Sequence, residues 1–472
     1  MKSTFIYVGF RILTGFLGLF LIAILTRILS QEVYGQYLLL ASAGSIGAVF
    51  FFQWLNVSTL REYSKAIEGD PAGEIFFLKT INGLFFACSC IGVISSALVA
   101  TFIWILFDWP NQRIFDVLCA MALALVMSRF TLIQQLLNAN SKPIPYGLLM
   151  SFRQVLFLCL IGLATYFGSE NAITIVIALI SSYFFANLIF QPVTRLPVFN
   201  LTLQREQCRQ LIVYGAPLSI NYIVLLFIDM TDRFMLASIQ SVALSGQYAA
   251  TMDFGRMSLG AVANIIYVAY FARMATSFER TNNVNEELDS QFEGFHFLVL
   301  VPATLVLILF PEAISNIVFG SSFRATSIQF MPIFAATLFL LYHKQFYLDA
   351  KLQLYRRTRT ILIVSLFCLF INIALNTVLI PTYGMMGAWA ATFVSVCAGV
   401  VGSVVATTRL TGSNPVGRIF FTTVLCIIGA LLLRSYVQVD GRYSIVMPAA
   451  YLLVASGLFA IISLRSFERF SK

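Results

Sequence analysis

Five basic and two acidic side chains lie inside runs too apolar to hold them without a reason: Arg11, Arg129, Arg153, Arg256 and Lys344, with Asp229 and Asp253. In a hydrocarbon medium each charge costs at least about 2.5–3.5 kcal/mol, so it must face a partner or a watery cavity. Guanidinium groups make bidentate hydrogen bonds that replace the hydration of a phosphate, which is the chemistry such arginines offer. Carboxylates in the same setting can bind a proton or a metal cation. Asp253 and Arg256 are three apart on one helix face and can neutralise each other. Asp229 has Arg233 one turn on as a ready partner, and Lys344 stands near a helix end, where it can snorkel. Arg11, Arg129 and Arg153 have no acid nearby in the sequence, so substrate contact, snorkelling and pairing across helices all stay open.

The elements that must carry these groups are membrane helices. Hydrophobic residues make up 59% of 472 and charged ones 11%, about half the charge of a soluble domain. Continuous apolar runs long enough to cross a bilayer recur at roughly 5–26, 36–58, 80–107, 114–137, 146–167, 171–192, 211–231, 245–270, 295–319, 327–349, 360–380, 385–407, 418–437 and 443–464. They lack the short alternation of barrel strands. The expected fold is an all-α polytopic membrane protein of about 14 transmembrane helices. The first run lacks a small-residue cleavage site and reads as a retained span. Eight scattered cysteines give no disulfide framework and no metal-ligand spacing, so neither a metal nor a cofactor is expected.

The net charge of +9 raises nucleic acid as a partner, but the distribution of charge argues against it. With the N-terminus in the cytoplasm, nineteen Lys and Arg fall on inner segments against six on outer ones. Both termini are therefore expected to be cytoplasmic. No outer loop exceeds roughly ten residues, which leaves no room for an extramembrane catalytic domain.

The chain also repeats itself. Gly35-Gln36-Tyr37 and Gly246-Gln247-Tyr248 are 211 residues apart, and at the same offset Leu136–Ala139 falls on Tyr347–Ala350. Ala164–Gly168 and Pro381–Gly384 then occupy matching turns between a fifth and a sixth span. Three matches in order imply an internal duplication. The expected organisation is an N-lobe at 1–192, a cytoplasmic connector at 193–210, a C-lobe at 211–408, and two additional spans with a tail at 409–472. Six spans per half make the repeat parallel, a geometry suited to rocking about a central cavity in alternating access. Pro217, Pro302 and Pro332 interrupt spans, as hinges or as fixed kinks.

The segment `LTRILSQEVYGQY`, Leu25 to Tyr37, resembles the first-span signature of Wzx-type polysaccharide flippases. `NIALNTVLIPTYGMMGAWAAT`, Asn372 to Thr392, is similar to the signature of the eleventh and twelfth spans of that group. The group shares a superfamily with the MATE drug exporters and the lipid II flippases. The resemblance implies two six-helix lobes flanking a cavity, and an undecaprenyl-diphosphate-linked oligosaccharide as substrate in a bacterial cytoplasmic membrane. The expected activity is flipping of that lipid to the outer leaflet for surface polysaccharide (O-antigen or capsule) synthesis, in company with other polysaccharide-assembly proteins.

On that reading Arg11, Arg129, Arg153, Arg256 and Lys344 hold the diphosphate, while Asp229 or Asp253 couples transport to an ion. Asn221, Tyr222, Asn264 and Tyr267 are candidate sugar contacts, although such residues more often bond between helices. Two alternatives compete. A MATE-like exporter of cations wants unpaired carboxylates, and this first span has none. A glycan polymerase or glycosyltransferase wants a large outer loop or clustered acids; the outer acids are isolated and His296 and His343 lie far apart. No catalytic residue is expected.

Overall fold

The computed structural model describes residues 2–67, 71–107, 111–197, 203–281, 286–411, 418–440 and 446–468. Parts of the expected connector (198–202) and of the C-terminal tail (469–472) lie outside them. Among the described residues all regular structure is helical. The order is α1 (Lys2–Ile28), α2 (Gln31–Ile67), α3 (Pro71–Phe107), α4 (Asn111–Ala139), α5 (Pro143–Tyr166), α6 (Ala172–Phe190) and a 3₁₀ turn (Gln191–Thr194). There follow α7 (Arg205–Ile239), α8 (Val242–Thr281), α9 (Glu286–Leu309), α10 (Pro311–Val318) and α11 (Ser321–His343). A π turn (Lys344–Leu348), α12 (Asp349–Leu354), α13 (Thr358–Thr411), α14 (Arg418–Asp440) and α15 (Val446–Glu468) complete the chain.

Ten helices are long and apolar enough to cross a membrane, and the bent α7 makes up to eleven among the described residues. α13, one of the ten, holds two legs and so adds one more, because Gly384 at φ 55°, ψ −129° breaks the helix between them. Only glycine occupies that region without strain. The apolar segments Thr423–Tyr436 and Val446–Gly457 are shorter. Together these account for the fourteen expected runs, so the all-α polytopic class holds.

The boundaries differ in three informative places. α7 continues to Ile239, eight residues beyond the expected end at 231, and bends by 40° next to Pro217. The ninth run is α9 plus the separate short helix α10, divided at Phe310, where Pro311 lacks the N–H that would continue the ladder. The tenth run passes through the π turn, which adds a residue to the helical circuit before α12. Local chemistry sets other ends: Pro143 opens α5, and Asn171 caps α6 by accepting from the Thr174 amide at 2.8 Å.

The chain packs as two compact units: 1–21 with 32–230, and 22–31 with 231–472. In unit 1, α4 packs against α3, α5 and α6, around Phe52, Leu55, Ile81, Leu132, Ile133 and Leu149. In unit 2, α8 and α11 pack on α9, and α14 and α15 cover α9 as well. Phe292, Tyr347, Leu348, Val396 and Val400 form a core there. The repeated triplet takes the same place twice, since Gly35 and Gly246 are each the fifth residue of their helix, α2 and α8.

Candidate functional site

The two units hold their charges differently. In unit 1, Arg129 rises from α4 into a buried position, 9% exposed. Its Nη1 donates to Asn82 Oδ1 at 2.7 Å, its Nη2 to the Pro197 carbonyl at 3.1 Å and its Nε to Gln191 Oε1 at 3.4 Å. The Phe85 ring lies 5.1 Å from its guanidinium carbon. Every one of these acceptors is neutral, so the positive charge is desolvated and oriented but not cancelled. Arg153, on α5, sits with its guanidinium over Tyr183 at 4.8 Å and 6.0 Å from Phe130. Among the described residues it makes no hydrogen bond and no ion pair, and it is half-buried. Aromatic faces hold it by cation–π attraction while its N–H donors stay available.

Arg11 is exposed on α1 in the same unit. Asp229, Asn221 and Tyr222 all lie on α7 within unit 1. Asn221 Oδ1 is buried without a hydrogen-bond partner among the described residues, and Tyr222 is 49% exposed.

In unit 2 the expected charges meet partners, and two of the expected pairings are replaced. Arg233 donates to Asp253, which gives that acid a partner other than the expected Arg256 and gives Arg233 one other than Asp229. Lys344 does not snorkel. It is 6% exposed, and its Nζ bonds Asp349 Oδ2 at 2.6 Å, while Asp349 Oδ1 accepts from Ser403 at 2.8 Å. The π turn makes this pair, because five residues complete one π circuit and so face the same way. Tyr342 donates to the Arg256 carbonyl at 3.0 Å. Asn264 and Tyr267 stand on α8; Tyr267 donates to Gln353 Oε1 at 3.2 Å and stacks on Phe271 at 4.8 Å.

The most constrained acid is one that the apolar runs alone place in an outer loop. Asp232 is 2% exposed because α7 runs on past it. Its Oδ2 accepts from Tyr248 at 2.7 Å and from Thr392; its Oδ1 accepts from Asn376 at 2.7 Å and Asn372 at 3.3 Å. Tyr248 belongs to the repeated triplet, and the other three donors belong to the Asn372–Thr392 signature. Asn376 Oδ1 is buried and takes no hydrogen bond among the described residues. The clue available in the sequence is the pairing of an acid beside an apolar run with a distant segment rich in Asn and Thr. Among the described residues no group of three or more His, Cys, Asp or Glu could hold a metal ion.

No family model matches the chain, and no curated protein does. Solved structures do. One is the lipid II flippase MurJ in an inward closed conformation, with TM-score 0.74 and 14% identity, covering 97% of this chain and 98% of that one. Another is a point mutant of the Vibrio cholerae MATE transporter VcmN, with TM-score 0.55 and 17% identity, covering 89% and 100%. A multidrug resistance MATE family transporter of the MOP superfamily, inward-facing, has TM-score 0.54 and 13% identity, covering 90% and 98%. The fold is that of the MOP superfamily. Identities this low speak to the fold alone.

Proposed function

We propose that the chain is a flippase for an undecaprenyl-diphosphate-linked oligosaccharide, moving it from the cytoplasmic to the outer leaflet of a bacterial cytoplasmic membrane. The likeness to MurJ supports a lipid-linked substrate, and the observation that carries the reading is Arg153 with its unused donors, in the same unit as the uncancelled charge of Arg129. A diphosphate entering an apolar interior needs donors that come without attached carboxylates, and unit 1 supplies them. The lobes are 1–192 and 211–408, joined by the connector 193–210 and followed by the added helices from 409, with both termini cytoplasmic. The chain transports and does not catalyse. Surface polysaccharide of the O-antigen or capsule type is its end use.

Of the predicted cations, Arg153 is the primary diphosphate contact and Arg129 sets the local potential. Lys344 serves the structure of unit 2. The coupling carboxylate for a proton or sodium ion is Asp232 in place of Asp229 or Asp253, since its four partners are neutral side chains and Asp253 is occupied by Arg233.

The test is transfer of a fluorescent undecaprenyl-diphosphate saccharide across proteoliposomes containing the full chain. Arg153→Ala should slow transfer about a hundredfold and Arg153→Lys restore part of it, because an ammonium supplies charge without the planar fork. Unchanged transfer in Arg153→Ala would remove the diphosphate assignment. Transfer of organic cations in its place would favour a MATE-like exporter.

A further inference from the structure

Asp289, Glu293 and His296 follow one another along α9 at spacings of four and three, so one face of the helix carries all three. Opposite them, Lys351, Tyr347 and His343 follow at spacings of four through α12, the π turn and the end of α11. The two rows meet as rungs. Lys351 Nζ donates to Asp289 Oδ2 at 2.8 Å and to the Tyr347 hydroxyl at 2.9 Å. Tyr347 and Glu293 lie close enough to interact. The last rung is the two imidazoles, with ring centroids 5.6 Å apart.

Both histidines are buried, at 0% and 1% exposure, and none of their four ring nitrogens has a hydrogen-bond partner among the described residues. A buried polar atom without a partner is destabilising, so phenylalanine would pack this site better. The column is also unbalanced in charge. Asp289, Glu293 and Asp349 bring three carboxyl groups against the ammonium groups of Lys344 and Lys351, one more acid than base.

The surroundings supply no other countercharge at the rings among the described residues. From α14, Phe420 stacks on His343 at 4.8 Å. From α8, Tyr270 stacks on Phe292 with Arg273 5.8 Å behind it. From α13, Ser403 bonds Asp349. Tyr451 of α15 donates to the Cys426 carbonyl, and Arg434 pairs with Glu312 of α10.

We propose that His296 and His343 together bind one proton, beside the row formed by Asp289, Lys351 and Tyr347. The binding does not depend on the proposed flippase activity. In such a pair the charge is shared between rings 5.6 Å apart, and Glu293, three residues before His296 on the same face of α9, provides the compensating charge.

The chain has two histidines, so isotope labelling of histidine reports this pair alone. The full chain in lipid nanodiscs, labelled with ¹³C and ¹⁵N histidine, is titrated by NMR between about pH 5 and 8. The expected result is that both rings titrate together with one midpoint. Glu293→Gln should lower that midpoint by about one unit, a tenfold weaker hold on the proton, because it removes the carboxylate that favours the charged form. His296→Phe should abolish the shared step while the melting temperature rises. Two rings fixed in a neutral tautomer across the range would overturn the proposal, as would a midpoint indifferent to Glu293→Gln. No substrate enters this measurement, so its failure leaves the flippase reading standing, and failure of lipid transfer leaves this one.

Discussion

Set in register, the two halves of the repeat carry opposite electrostatic designs on one scaffold. At the offset of 211, Asp232 falls on Leu21, Lys344 on the fully buried Ile133 and Arg129 on Leu340. In the turn between fifth and sixth spans the register is set by Tyr166 and Tyr383, and there Asn372, Asn376 and Thr392 fall on Val155, Cys159 and Ile175. Arg153 falls on Phe370. At these positions unit 1 keeps cations without carboxylates, where unit 2 keeps apolar residues. Unit 2 builds closed ion pairs and a ringed carboxylate where unit 1 has apolar side chains. A handful of side chains separates two similar sets of helices: one holds cations free of carboxylates, the other ion pairs and a ringed carboxylate.

The largest effect should come from forcing one half to resemble the other. Lys344→Ile installs the unit 1 residue and strands Asp349 as a buried charge, at a cost of about 3–5 kcal/mol. Adding Asp349→Asn, the residue that unit 1 carries as Asn138, should recover most of the loss. Thermal unfolding in detergent measures both. A single mutant as stable as the parent would mean that Lys344 is not structural, and would return it to the set of substrate contacts.

Next in size is Arg153→Ala, expected to slow lipid transfer about a hundredfold. That equals about 2.7 kcal/mol, the scale of a desolvated charge-assisted bond. The melting temperature should hold steady, because no hydrogen bond is lost. Arg129→Ala makes the control within unit 1. It should lower stability as well as transfer, since Asn82, Gln191 and the Pro197 carbonyl lose their donor.

The sequence hides these contrasts for a physical reason in each case. Hydropathy finds a helix by its average, so all fourteen apolar runs are legible, and so is the duplication that places Gly35 and Gly246 alike. It fails at ends. The run before Asp232-Arg233 looks finished because two charges follow it, yet the helix continues, since both charges find buried partners. The partners themselves come from elements far apart. Asp232 draws donors from residues 140, 144 and 160 positions away, and no local pattern encodes such a meeting. Arg129 is legible as an anomaly, but the neutral character of its acceptors is not.

A smaller effect tests the matched turns. Gly168 and Gly384 occupy the same turn in the two halves, at φ 68° and 55°, and these are the glycines with positive φ among the described residues. No atom lies within 4 Å of a Cβ built at Gly168, and at Gly384 only Gln240 touches that limit, so space does not decide the outcome. Backbone strain does. Gly384→Ala should cost about 2 kcal/mol in thermal unfolding, because ψ of −129° takes it outside the left-handed helical region. A neutral result would mean that the two legs of α13 can be joined in another way.

The smallest effect concerns the first signature, whose copies differ most plainly at one residue. Arg27 donates to the Val318 carbonyl at 2.9 Å and to that of Ile317, which ends the short helix α10. Beside it, Thr26 accepts from the Gly320 amide at 3.2 Å, and a Cβ on Gly320 would lie 1.9 Å from the Thr26 carbonyl oxygen. The end of α1 thus serves as a C-terminal cap for α10, supplying positive charge where the carbonyls are otherwise unmatched. At the matching place in the second copy stands Ser238, whose hydroxyl merely bonds back to Met235. Arg27 is solvent-exposed, so charge alone is worth little here and geometry must carry the effect. Arg27→Ala should therefore cost about 1 kcal/mol and speed amide hydrogen exchange in α10 several-fold, with α11 unaffected. Arg27→Lys should recover less than half, since one ammonium cannot bridge two carbonyls in the plane of a guanidinium. If lysine restored full protection, the cap would be electrostatic and the fork irrelevant, and the arginine of the first signature would lose its structural explanation.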